Sequence, residues 1–156
     1  DRLNLIDLFD LTYNDFQYSP YYKKHFDGCS VKGVCHTYLE GMQWVINYYK
    51  IGIPDWRWQY NYFYAPFLCD LAEHTSTYIN CDFVKHEPVE PFMQLLCVLP
   101  PSSKDLLPTA LQSILYHNSC KKFYPDTFDI DVSGKRREWE GIVKLPFIHY
   151  NTIYKE

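Results

Sequence analysis

No stretch of about 18 consecutive apolar residues occurs in the sequence, so a membrane-spanning helix is excluded. The six glycines are scattered, which rules out a glycine-rich loop cradling phosphates. No GxSxG nucleophile elbow is present. Cys35-His36, Cys69 with His74, Cys81 with His86 and Cys120 with His117 all lack the CxxC or HxxxH spacing that turns two ligands onto one tetrahedral ion. Excess positive charge is missing too. Fifteen Lys and Arg stand against nineteen Asp and Glu, a net charge of -4, which excludes a freestanding domain gripping nucleic acid through bulk positive potential. A basic-plus-apolar secretory segment is absent from the N-terminus. The six widely spaced cysteines are therefore read as reduced intracellular thiols. The sequence starts at Asp1 without an initiator Met, as expected of a processed chain or a segment of a longer one.

What remains is apolar and aromatic. With 156 residues and 47% hydrophobic content the chain has material for a core, at the size of one domain. Aromatic residues make up 19%, including 15 Tyr. Such rings either fill a core or line a surface that stacks flat ligands.

The fold class expected is mainly α, an irregular helical domain with Pro-rich connections and one aromatic extended segment. Leu3, Leu5, Ile6, Leu8, Phe9 and Leu11 are dense enough for one short helix before Gly28, with Pro20 and Tyr21-Tyr22 breaking any longer period. Val31, Val34, Cys35, Tyr38, Leu39, Met42, Val45, Ile46 and Tyr49 follow the spacing of an amphipathic helix, with Gly52 as its stop and Pro54 preventing continuation. Between Pro54 and Phe67 the aromatics Trp56, Trp58, Tyr60, Tyr62 and Tyr64 alternate with other residues. That is the period of a strand or extended loop with one aromatic face. Pro66 opens a short helix to Leu71, and Pro91 opens another that Pro100-Pro101 ends. Ser102 or Ser103 caps a turn before Leu106-Leu107, and Pro108 opens a segment to Leu115. Asp131 to Gly134 signals a turn, followed by a helix carrying Trp139, Ile142 and Val143 that Pro146 stops.

The carboxylates Asp7, Asp10 and Asp15, and Asp129, Asp131, Glu138 and Glu140, neighbour one another in sequence, but solvated charge explains them more cheaply than a cation site. The same holds for Lys23-Lys24, Lys121-Lys122 and Lys135-Arg136-Arg137. The aromatic segment admits two readings: core filling, or a wall on which nucleobases stack at about 1–3 kcal/mol per base.

Three blocks carry a resemblance. The run Tyr38-Leu39-Glu40-Gly41-Met42-Gln43-Trp44-Val45, with Tyr48-Tyr49, Gly52, Pro54, Trp56, Trp58, Tyr60, Tyr62 and Tyr64-Ala65-Pro66-Phe67, resembles the second conserved region of the Xrn/Rat family of 5'-to-3' exoribonucleases. Pro91-Phe92-Met93-Gln94-Leu95-Leu96-Cys97-Val98-Leu99-Pro100 is similar to that family's PFEQLMSVLP. Phe123-Tyr124-Pro125 through Gly134-Lys135, Trp139 and Leu145-Pro146-Phe147-Ile148 is similar to its third block. Tyr21 to Phe26 extends the likeness upstream.

The resemblance implies an upstream helical lead-in over 1–37, an exoribonuclease helical domain over 38–150 and a tail over 151–156. It implies a domain that packs on an α/β nuclease region absent from this chain. It also implies Mg2+ held by that N-terminal region, a single-stranded RNA substrate with a 5'-monophosphate, and no catalytic or metal-binding residue in this chain. A tryptophan of the conserved region is expected to stack on a 5'-terminal base, and Trp56 and Trp58 both match. Arg57, Tyr60, Tyr62 and Tyr64 are candidate RNA contacts beside them. The chain departs from the family's WYYPYHYAP at Gln59, Asn61 and Phe63, and carries Met93 where the family has Glu. A noncatalytic scaffold derived from the same family is the competing reading, motivated by these departures and the missing acidic cluster. Whether the parent works in cytoplasm or nucleus is left open.

Overall fold

The computed structural model describes residues 20–26 and 28–155. The apolar run from Leu3 to Leu11 lies outside them, as do Asp7, Asp10 and Asp15. The described chain divides into two compact units, one up to Lys85 and one from His86 onward.

In the first unit, Pro20 opens rather than interrupts a helix, α1, over Pro20–His25, since its fixed φ suits the first helical position. Helix α2 spans Val31–Ile51. Ser30 caps it by accepting a hydrogen bond from the Gly33 amide at 3.1 Å. Gly52 closes it at φ 98°, a left-handed conformation that favours glycine, and donates back to the Tyr48 carbonyl. The predicted apolar stripe is split in its use. Val34 and Cys35 are fully buried, whereas Met42, Val45, Ile46 and Tyr49 are exposed. Helix α3 runs over Leu68–Thr75, so Pro66 sits before the helix instead of in its first turn, and the helix passes Leu71 by four residues.

Tyr22, Phe26 and Val34 form the buried centre, with Tyr21, Tyr62, Tyr64 and Phe67 packed around them. One polar contact ties α1 to α3: the Tyr22 hydroxyl donates to the buried Asp70 carboxylate and accepts from the Phe67 amide. Burying a carboxylate is costly unless it is hydrogen-bonded, so Tyr22 and Asp70 require each other.

The second unit starts with α4, Pro91–Val98, again with Pro at its first turn. Its Met93 and Leu96 join Leu107, Leu115, Cys120, Phe123, Tyr124 and Ile153 in a second core. The Tyr124 hydroxyl donates to the Leu96 carbonyl at 2.6 Å. Met93 is 8% exposed; an ionised Glu there would be buried among apolar neighbours, so the departure at this position fits the core. Pro101–Leu106 is a 3-10 turn without the side-chain cap expected from Ser102 or Ser103. Pro108 precedes α5, Thr109–Gln112, which passes into a 3-10 turn, Ser113–Tyr116.

The helix expected after Gly134 does not form. The turn is present, with the Ser133 amide donating to Asp131 Oδ1 and Gly134 at φ 70°, but it joins two antiparallel strands, β1 Asp129–Asp131 and β2 Ile142–Lys144. The physical reason is local. Ile130 pairs with Val143 and Asp131 with Ile142, and β-branched residues favour strands. Trp139 lies on a one-turn 3-10 segment, Glu138–Glu140, between them. A last short helix, α6, covers Tyr150–Tyr154 and contributes Ile153 to the core. The described residues are thus mainly helical, with a two-stranded hairpin as the sheet among them.

Burial holds the phenols of Tyr22, Tyr60 and Tyr124 above the usual tyrosine range and pushes the Cys35 thiol up to about 12. In the unfolded chain the same groups ionise near 9 to 10. Each raised group therefore contributes stability that is complete below pH 9 and is lost as pH rises through the folded values. The loss sets in above pH 9 for Cys35 and above pH 10 for the tyrosines, with a limiting slope of about 1.4 kcal/mol per pH unit for a fully titrating group. Denaturant titrations at pH 8, 9.5 and 11 are expected to give a steadily falling midpoint, and replacing Cys35 with Ala is expected to flatten the 9-to-10 limb.

Candidate functional site

The aromatic segment is built on a turn at Asp55. Its carboxylate Oδ1 accepts the Arg57 amide at 2.8 Å, an Asx turn formed two residues on. Its carbonyl accepts the Trp44 indole N–H from α2 at 3.0 Å. Asp55 is itself buried. Fixed from both sides, the turn presents Trp56 and Arg57 outward: Trp56 is 42% exposed and Arg57 is exposed.

From Trp58 onward the chain is extended but pairs with no strand among the described residues. The period of two predicted from sequence is present between Trp58 and Tyr64, and the ring face it creates is turned onto the helices. Trp58 stacks on Trp44 with centroids 6.2 Å apart, and Trp44 stacks on Tyr48 at 5.7 Å. The Trp58 indole N–H donates to Glu40 Oε1 at 3.0 Å. Tyr60 meets Tyr38 edge-on at 5.6 Å and donates to the Tyr64 carbonyl at 2.8 Å. Tyr62 packs on Phe26, and Tyr64 lies 3.8 Å from the His25 ring centroid. All four are half-buried. Gln59, Asn61 and Phe63, where the sequence departs from the family's run, alternate with them on the exposed side.

Sequence reasoning missed the residues that seat this segment. Gly41 is one. A Cβ built there would come 2.6 Å from the six-membered ring of Trp58, so the absence of a side chain lets the indole lie against α2. The signal was available, since a glycine inside a helical pattern weakens the helix and needs a reason. Glu40 accepts from Trp58 and also from the Cys81 thiol at 3.4 Å. Gln43 holds the next extended stretch: its Nε2 donates to the Cys81 carbonyl, and its Oε1 accepts from the Cys81 amide and the Tyr78 hydroxyl. Successive turns of α2, at Glu40 and Gln43, thus anchor two non-helical stretches of chain through polar side chains.

Of the predicted site residues, Trp56 and Arg57 are brought together on the outward turn, while Trp58, Tyr60, Tyr62 and Tyr64 form the packed row beneath it. For Mg2+ the fit is negative: among the described residues no three His, Cys, Asp or Glu side chains converge. Asp131 is engaged by Lys144 at 3.6 Å and by the Ser133 amide, and Glu140 accepts from the Arg136 amide. Among the described residues no helix is long and apolar enough to cross a membrane, and no disulfide joins the six cysteines.

Comparison with known proteins bears directly on this arrangement. The family model of the Xrn1 helical domain matches residues 11–156. The chain is 42% identical over 118 residues to 5'-3' exoribonuclease 2 of Schizosaccharomyces pombe, covering 74% of this chain and 12% of that protein. It is 41% identical over 113 residues to human 5'-3' exoribonuclease 1, covering 71% of the chain and 6% of the relative. With 5'-3' exoribonuclease 1 of Saccharomyces cerevisiae it shares 39% over 120 residues, covering 76% and 8%. The chain therefore spans only about a tenth of the length of these relatives. The match runs through α2, the aromatic segment and the second unit alike, and on that evidence the chain belongs to the Xrn1 helical domain family.

Proposed function

We propose that the chain is the segment of a 5'-to-3' exoribonuclease that forms the wall and closure of the active site around single-stranded RNA bearing a 5'-monophosphate. The observation that carries this reading is the outward Trp56-Arg57 pair on a doubly fixed turn, in a chain whose relatives are named 5'-3' exoribonucleases. An indole face held in place takes a nucleobase without reference to sequence, and the neighbouring guanidinium suits the phosphate that follows it. Both properties are what an enzyme needs to shorten RNA one nucleotide after another. Trp58, in this reading, supports the turn from below, with Tyr60, Tyr62 and Tyr64 as the remainder of the support.

Phosphodiester hydrolysis is assigned to the N-terminal catalytic region of the same enzyme, which would hold Mg2+. This chain's residues bind, orient and exclude water. The exposed row of Met42, Val45, Ile46 and Tyr49 along α2 supports the partnership, since an apolar stripe at helical spacing is made to be covered. We assign residues 1–37 as lead-in, 38–150 as the working domain and 151–156 as tail, in an intracellular enzyme.

The scaffold reading has its own observation: Gln59, Asn61 and Phe63 all lie on the exposed side, where a changed partner would act. Mixing the chain with the family's N-terminal catalytic region separates the two. A 1:1 complex on size exclusion is expected for the enzyme segment, and two separately eluting species at micromolar concentration would contradict it.

A further inference from the structure

Two serines of the sequence carry Lys or Arg at both the second and the third position after them: Ser119, before Lys121-Lys122, and Ser133, before Lys135-Arg136-Arg137. Protein kinases choose their acceptors partly by such charge patterns, so sequence alone offers two equal candidates. The structure separates them. The Ser119 hydroxyl is hydrogen-bonded to His117 Nδ1 at 2.8 Å, and Cys120 beside it is fully buried. Ser133 is exposed, and its hydroxyl makes no hydrogen bond to the described residues. We propose that Ser133 is a phosphorylation site for a kinase that reads cations C-terminal to its acceptor.

The local geometry presents the hydroxyl. The Lys135 amide donates to the Val132 carbonyl at 3.0 Å across Ser133 and Gly134, and Gly134 has φ 70°. That is the arrangement of a type II turn, with Ser133 at its outer corner. The segment can also open to lie in a kinase cleft, because β1 and β2 pair over only three residues each and a two-stranded hairpin is marginal by itself. The three cations are exposed, and none forms an ion pair with a described carboxylate; Arg137 lies over the Trp139 ring instead. Asp131, the nearest carboxylate in sequence, accepts the Ser133 amide on Oδ1 and faces Lys144 at 3.6 Å with Oδ2, so its charge is already opposed. In the transfer, Ser133 Oγ bonds to the γ-phosphorus of a nucleoside triphosphate as the bond to the β–γ bridging oxygen breaks. The diphosphate leaves, and the hydroxyl proton passes to the kinase's base. The product adds about two negative charges beside Lys135 and Arg136, which are placed to form charge-assisted hydrogen bonds with it. A turn carrying three positive charges is left with about one, and the modification thereby switches the most basic run of the chain.

The test incubates the full chain with ATP and protein kinase C, whose preference is of this kind and whose activity is checked on a reference peptide. Sites are mapped by tandem mass spectrometry. The proposal expects one phosphate per chain on Ser133, none on Ser119, and incorporation abolished in Ser133→Ala. Lys135→Ala and Arg136→Ala are each expected to lower kcat/KM for the chain about fivefold, the loss of one exposed charge contact, with melting temperatures equal to wild type. Phosphate on Ser119 at the rate of Ser133 would overturn the structural selection. A folded chain left unmodified by the active kinase, or modified at Ser133 equally well without Lys135 and Arg136, would overturn the site as described.

Discussion

Replacing Trp58 with Ala is expected to lower the stability of the first unit by about 3 kcal/mol, a loss of more than a hundredfold in the folding equilibrium. The indole is stacked on Trp44, seated over Gly41 and hydrogen-bonded to Glu40, so truncation opens a cavity and leaves the half-buried Glu40 carboxylate with the Cys81 thiol as its remaining donor. Gly41→Ala acts from the other side of the same contact. A methyl 2.6 Å from a rigid ring that is pinned by its own hydrogen bond forces the ring or the helix to move, a change that costs about 1–3 kcal/mol. Urea denaturation followed by tryptophan fluorescence measures both. A Trp58→Ala midpoint equal to wild type would mean that the ring is not seated where these contacts put it.

Trp56→Ala is expected to do the reverse. The side chain is 42% exposed and its turn is held by Asp55 and Trp44 rather than by its own ring, so stability should change by no more than about 0.5 kcal/mol. RNA binding should fall about tenfold, the loss of one base stack. Loss of binding without loss of stability is the signature of a contact residue. Equal binding by wild type and variant would remove Trp56 from the RNA path. The pairing of the two experiments also resolves what sequence left undivided, namely which tryptophan stacks on a base and which supports the fold.

How far the sequence could be read depended on the range of the interaction concerned. Helix α2 was legible from its period and from Gly52, because each acts within a few residues, while its cap at Ser30 was not read. The strand-like period at Trp58 to Tyr64 was legible for the same reason. Its direction was not, since the groups that turn it inward, Glu40, Gly41 and Trp44, lie on a helix some 14 to 18 residues upstream. The hairpin was misread as a helix because its evidence is pairing: Ile130 opposite Val143 lies across a turn and an intervening 3-10 segment. Gly141 carries the same lesson, as a Cβ there would meet Ile130 at 2.4 Å, a constraint visible only once the strands are side by side. The family, by contrast, was legible without any structure, because three motif blocks stand in order along the chain.

The most direct measurement is the decay of 5'-monophosphorylated single-stranded RNA in Mg2+, by this chain alone, by the family's N-terminal catalytic region alone, and by the two together. The account predicts degradation from the 5' end in the mixture, well above either part, with Trp56→Ala slowing it. RNA left intact by a folded 1:1 complex, or degraded equally well without this chain, would contradict the claim that the chain closes the active site.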